Sequence, residues 1–236
     1  HSSIRPDHED FTNSIQKYQV LHPSELTITA LDLRKTYEEL DFSKLPNYTT
    51  EELKASFEMV RDERFLNDPS VKNFPRRSSW MYPDDGCFAR AALMKSNLEK
   101  FGYKTPWKIF IFGNLKVSTN NNPYGSVSWW YHVVPIVNLD GKPVVFDPAI
   151  NPHFPLQLTD WIELQVTNRR DARFSICHPN SYTPNSSCNN VATDPENEAL
   201  SDQVHYLSAE RNRIKSLGRD AHEELGNNPP WLQPWY

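Results

Sequence analysis

Apolar residues recur at helical spacing in several stretches of the chain and at strand spacing in others. After Cys87, residues Ala91, Ala92, Met94, Leu98 and Phe101 keep a roughly 3.6-residue period, and Gly102 supplies a C-terminal stop. Pro83 and the Asp84-Asp85-Gly86 turn block any earlier helix, with Asp85 read as the cap, so the helix opens at Cys87. Thr49-Thr50-Glu51-Glu52 reads as a capping box opening a second helix, with Leu53, Phe57 and Val60 on one face and an end before Pro69. Residues 196–225 pattern as a charged amphipathic helix or helix pair that packs through Leu200, Val204, Leu207 and Ile214. Shorter helices are expected at 31–40 and from Thr159-Asp160-Trp161-Ile162. Strands are expected at 25–29 and 107–112, the second followed by an Asn- and Pro-bearing loop at 114–124 that would rim a site.

One hairpin is predicted in detail. The strand-forming run Val127-Ser128-Trp129-Trp130-Tyr131-His132-Val133-Val134-Pro135-Ile136-Val137 is followed, after Asn138-Leu139-Asp140-Gly141-Lys142, by Pro143-Val144-Val145-Phe146-Asp147. Asp-Gly between two apolar runs signals a type I′ turn, which needs positive φ at both central residues. With Asp140 and Gly141 central, Asp147 falls opposite Val134, and His132 becomes its diagonal neighbour on the same face, about 7–8 Å away between Cα atoms. A slip of one residue would send the two side chains to opposite faces. Pro135 and Pro143 are read as edge positions or bulges, where such a slip arises.

These positions carry candidate chemistry. A thiol in the first turn of a helix meets unpaired N–H groups and the positive end of the helix dipole, and both favour the nucleophilic thiolate. His132 set between Cys87 and Asp147 would complete a nucleophile, base and orienting group. Each residue also has a bland reading: a buried structural cysteine, a core histidine satisfied by a carbonyl, and an aspartate that starts a turn before Pro148.

Four blocks in this order carry a family resemblance: Tyr82-Pro83-Asp84-Asp85-Gly86-Cys87-Phe88-Ala89-Arg90-Ala91, Phe112-Gly113-Asn114-Leu115-Lys116-Val117-Ser118-Thr119, Ser128-Trp129-Trp130-Tyr131-His132-Val133 and Phe146-Asp147-Pro148. Together they resemble the bacterial protein-glutaminases, which hydrolyse the side-chain amide of protein-bound glutamine. The resemblance spans residues 81–150, under a third of the chain. It implies an α+β fold with a transglutaminase- or papain-like core, the nucleophile at a helix N-terminus packed on an antiparallel sheet, and helical extensions at both ends. It implies Cys87 as nucleophile, His132 as general base and acid, and Asp147 as the orienting carboxylate. Trp129, Trp130 and Tyr131 would then wall the substrate site, with Asn114 and Lys116 at its mouth. The substrate would be a glutamine-containing protein or peptide, and no cofactor is needed. A transglutaminase or cysteine peptidase would use the same triad, and a catalytically inactive binding module would keep only the fold. Residues 1–75 are read as an extension, either an analogue of the family's pro-segment, a lid, or part of the fold; residues 76–236 form the catalytic domain.

Composition narrows the setting. The 236 residues suit one large domain or two small ones, and a net charge of −5 without a basic stripe argues against nucleic acid or anionic membranes as partners. No apolar run is long enough to span a bilayer. The histidines and cysteines lack metal-site spacing. Cys177 and Cys188 flank a polar loop that reads as unsupported by hydrophobic contacts. A disulfide there would leave Cys87 as the free thiol and place the chain in a secreted or periplasmic setting; the alternative is a pair of reduced loop cysteines in the cytosol. The start at His1 without methionine reads as a processed form. Arg76-Arg77 reads as a processing or linker point or as solvated surface. The aromatic tail at 227–236 is expected to pack on the body or to meet a partner.

Overall fold

The computed structural model describes residues 27–226. The C-terminal aromatic tail and most of the N-terminal stretch lie outside them. The chain forms β1 (Asn47–Tyr48), α1 (Thr50–Asp62), β2 (Leu66–Asn67), β3 (Pro75–Arg76), α2 (Cys87–Lys100), β4 (Trp107–Ser118), β5 (Ser126–Leu139), β6 (Lys142–Val145), β7 (Leu156–Gln157), α3 (Leu158–Glu163), β8 (Arg173–Cys177), α4 (Glu196–Ser216) and α5 (Ala221–Leu225). The main sheet runs β7-β6-β5-β4-β8 with antiparallel neighbours, and β1 adds a short parallel pair at the end of β5. The architecture is α+β.

Side chains on β4, β5 and β6 alternate between two cores, as the period of two requires. Ile109, Ile111, Val134, Ile136 and Val145 join Trp161 and Ile162 of α3 on one side. Val137, Val144 and Phe146 meet Met94 and Leu98 of α2 and Leu53, Phe57 and Val60 of α1 on the other. α2 therefore lies between the sheet and α4, and nearly its whole length is buried. Its stop is a Schellman closure: Gly102 has φ +84, its N–H bonds the Glu99 carbonyl, and the Tyr103 N–H bonds that of Leu98. The capping box at Thr49 and Glu52 forms as expected.

Several local expectations are corrected. Residues 31–40 hold turns and a single 3-10 turn at Tyr37–Glu39, because local bonds such as the Thr29–Asp32 pair compete with helix. Of the expected strand at 25–29, residues 27–29 are described, and Thr29 makes only an isolated bridge to Ser187. The expected loop at 114–124 is strand as far as Ser118, paired with β5 from Leu115 onward, which leaves a short connection. Val204 is exposed, and α4 packs instead through Gln203, Leu207, Glu210 and Ile214 among others. The loop between Cys177 and Cys188 is well supported, since Tyr182 is buried against α2 residues Ala89, Ala92 and Leu93. The disulfide Cys177–Cys188 itself is present.

Arg76 and Arg77 form neither a linker nor a solvated surface. Both are buried with Glu210 of α4, whose carboxylate also accepts the Met81 backbone N–H at 2.8 Å. Asp68 pairs with Arg76 and Arg211 at 2.7 Å each. A buried charge persists only when paired, and adjacent arginines with distant carboxylate partners carry no local sequence signal. Replacing Glu210 with Ala would take the carboxylate from buried Arg77 and leave Arg76 with Asp68 alone, and is expected to cost about 3–5 kcal/mol of stability; denaturant unfolding measures it, and a loss below about 1 kcal/mol would contradict the reading.

Lys108 is fully buried on β4 and donates to the Ser181 carbonyl. Burial, reinforced by the charge of Lys95 and only partly offset by Asp194, lowers its pKa to about 7. The unfolded chain thus holds a proton that the folded chain releases, and stability climbs with pH above about 7. Lys108→Met removes this slope, so the stability of the wild type relative to the variant should grow between about pH 7 and 9.5.

Candidate active site

Cys87 is the first residue of α2, and the residue before it must be glycine. Gly86 has φ +85, and a Cβ there would stand 2.9 Å from the Tyr206 ring. Asp85, expected as the cap, instead accepts the Gly86 N–H on Oδ1 at 2.7 Å, and the cap position falls to Gly86 itself. The first intrahelical bond runs from the Arg90 N–H to the Gly86 carbonyl, so the N–H groups of residues 87–89 precede the helical ladder. Arg90 also turns its guanidinium back, with Nη1 donating to the carbonyls of Tyr82 and Asp85 at 3.2 and 2.7 Å. The approach loop is fastened again at Asp84, which takes two bonds from Arg213 (2.7 and 2.9 Å) and a forked one from Asn122 Nδ2 to both oxygens. Buried Cys87 packs among Phe110, Phe112, Tyr131 and Val133.

The hairpin brings the other two residues together. Asp140 and Gly141 have φ of 51° and 76°, and the register pairs Leu139 with Lys142 and Ile136 with Val145, as the turn type dictates. Pro135 marks no edge or bulge in the way expected: β5 lies inside the sheet, and its irregularity falls opposite Gly113 and Asn114 of β4, whereas Pro143 lies on β6 beyond the residues that β7 pairs. Pro135 acts differently. Its carbonyl accepts the Phe146 N–H, but it has no N–H to return, and the ladder ends at Val145. Asp147 is thereby released from the strand. Its carbonyl closes a turn with the Ile150 and Asn151 N–H groups while its carboxylate meets His132.

His132 Nε2 lies 2.7 Å from Asp147 Oδ2, and both residues are buried. The Trp161 Nε1–H donates to the same oxygen at 2.8 Å. The imidazole stacks on Trp129, centroids 4.4 Å apart, and more loosely on Trp161 at 5.8 Å. Nδ1 has no oxygen or nitrogen partner among the described residues. Cys87 acts on the ring through a hydrogen bond and its charge. Burial pushes the His132 pKa down, but the charge and hydrogen bond of Asp147, joined by Cys87, outweigh it and hold the imidazolium form. For Asp147 burial pushes up, and His132, the Trp161 bond and the Arg90 charge together pull the carboxyl below its usual range.

Residues 53–165 match the family model described as Glutaminase. That stretch, just under half of the chain, is similar to the glutaminase family. Among solved structures, a pro-protein-glutaminase superposes with a TM-score of 0.51 at 20% identity, covering 97% of this chain and 72% of the other. A protein-glutaminase (0.48, 22% identity, 80% and 95% covered) and the solution structure of the enzyme from Chryseobacterium proteolyticum (0.47, 22%, 80% and 94%) are also similar. Among curated proteins none matches.

The remaining candidates scatter. Trp129 is a buried wall on the His132 ring, and buried Tyr131 packs with Cys87. Half-buried Trp130 and exposed Asn114 line one cavity of about 480 Å³. Exposed Lys116 lies in a neighbouring cavity with Asn114, beside residues 163–167. Trp161, Arg90 and Arg213 are absent from the sequence-derived site. Trp161 sits in a short helix with no motif, and the two arginines act through loop carbonyls and a distant aspartate.

The two shifts set a pH window. Asp147 contributes stability above about pH 3.8 that fades as pH falls through its lowered folded value. His132 contributes below about 6.5 and fades as pH rises through its raised value. NMR titration of His132 should give a midpoint above 6.5. Asp147→Asn should lower it, because the largest opposing charge is gone; an unmoved midpoint would contradict the pairing.

Proposed function

We propose that this chain deamidates glutamine side chains in proteins, converting them to glutamate and releasing ammonia, on a transglutaminase-like core. The match of residues 53–165 to the glutaminase family model supports an amidohydrolase. The observation that supports the mechanism is the buried imidazole with Nε2 2.7 Å from Asp147 Oδ2, Cys87 also acting on the ring.

In this reading the carboxylate fixes Nε2–H toward itself and leaves Nδ1 to exchange a proton with the thiol. Raised imidazole basicity and the helix N-terminus both favour a thiolate–imidazolium pair. The thiolate attacks the carboxamide carbon, and the oxyanion takes the N–H groups at the start of α2. Imidazolium then protonates the leaving ammonia, and a thioester remains on Cys87. A water deprotonated by His132 hydrolyses it, releasing the glutamate side chain and restoring the thiol. Trp129 and Trp161 keep bulk water from the ring. Trp130 and Tyr131 would wall the substrate, with Asn114 and Lys116 at the mouth.

The disulfide supports a secreted or periplasmic setting, and no helix among the described residues is long and apolar enough to cross a membrane. The lid reading of residues 1–75 has support in one stretch. Leu31 and Leu33 pack against the cluster that buries Cys87, held by the bond from the Leu31 N–H to the Pro184 carbonyl.

Ammonia release from a glutamine-bearing protein, without amine incorporation or chain cleavage, tests the reaction. Cys87→Ala should abolish it, and iodoacetamide should block it near neutral pH. Amine incorporation would indicate a transamidase, cleavage a peptidase, and inert substrate with slow alkylation a binding module. Trp161→Phe removes a charge-assisted bond worth about 1.5 kcal/mol or more, so kcat should fall at least about tenfold. The acidic limb of its pH profile should move upward as Asp147 loses a donor.

A further inference from the structure

The cavity beside Trp130 carries charge of one sign. Arg34, Arg170 and Arg173 stand at its rim, and Asp171 is the one acidic residue among the described residues that line it. In a chain of net charge −5 this is a local reversal. Two of the guanidiniums are held in place. Arg34 donates through Nε to the Leu31 carbonyl at 2.7 Å and lies over the Phe112 ring at 5.9 Å. Arg173 Nη1 donates to the carbonyls of Arg170 and Ala172, both at 2.9 Å. A guanidinium offers five N–H donors, so most remain for a ligand, and anchored stems lose less entropy on binding.

The cavity also adjoins the reactive centre. Leu31, Phe112 and Trp130, which form its apolar walls, pack in the cluster that buries Cys87. Its floor is close backbone. Gly113 sits at the β4 irregularity with φ +154, and a Cβ there would meet the Asp171 carbonyl at 3.1 Å. Bulges of this kind recur next to sites because they re-aim the neighbouring side chains.

We propose that this arginine-rimmed cavity is a subsite for carboxylates flanking the target glutamine, so that the substrates are protein segments with Asp or Glu close to that residue. This rests on the deamidase reading above. Guanidinium and carboxylate match in a bidentate geometry that amide or hydroxyl side chains do not offer. The cavity has room for such side chains beside an apolar wall that would take the stem of a glutamate.

Three synthetic peptides with one central glutamine, flanked by glutamates, serines or lysines, test the proposal in two assays. Fluorescence anisotropy measures binding to the Cys87→Ala protein, and ammonia release measures turnover by the wild type. The glutamate peptide should bind best and the lysine peptide worst, with about a two- to fivefold gain over serine for each arginine engaged. The ranking should flatten in about 0.5 M salt and reverse in Arg34→Glu/Arg170→Glu. Equal binding of the three peptides, or a ranking untouched by the double substitution, would overturn the subsite. Charge-ranked binding without ammonia would uphold the subsite and sink the deamidase reading, whereas ammonia release without charge ranking would do the reverse.

Discussion

A carboxylate almost wholly removed from water is the constraint around which the candidate site is arranged. Ionised Asp147 is tolerable in that position only because three groups answer it: the His132 ring and the Trp161 N–H on one oxygen, and the positive field of Arg90. The same contact sets the tautomer and tilt of the imidazole, and the two tryptophans beside it restrict its rotation. The orientation in which the ring meets Cys87 therefore depends on how this carboxylate is satisfied.

The sulfur reaches the ring by a different route. Residues 78–86 have no regular structure, yet they must deliver α2 at one angle. Polar anchors do this: Glu210 grips the Met81 N–H, Gln203 accepts the Ser79 N–H at 3.0 Å, Arg90 collects carbonyls, and Arg213 holds Asp84. The long helix α4 supplies most of them. Its buried face is thus part aliphatic and part charged. Satisfied buried polar networks of this kind specify one geometry where aliphatic packing would tolerate several.

Much of this was legible wherever the rule was local. The Asp-Gly turn, the helix start beside Cys87 and the capping box at Thr49 follow from a few neighbouring residues, and they placed the Cys87, His132 and Asp147 elements correctly. What was illegible depended on distant partners. Arg76 and Arg77 look like surface until Asp68 and Glu210 are known to lie against them. Val204 keeps helical period with Leu200 and Leu207, yet the face that packs is chosen by the Ser79 and Met81 groups that Gln203 and Glu210 must satisfy. Pro135 suggested an edge because proline cannot complete a ladder; its missing donor instead ends the pairing inside the sheet, which no composition rule anticipates.

Pro135 leaves the two halves of the centre with separate origins. Imidazole and carboxylate are joined by a tight turn across a separation of 15 residues, a short loop that closes readily. The thiol is contributed by long-range docking of α2 against α4 and the sheet. Loosening that docking would carry Cys87 away from the ring while the His132–Asp147 couple persisted, so partial unfolding would part the thiol from the pair before the pair itself came apart.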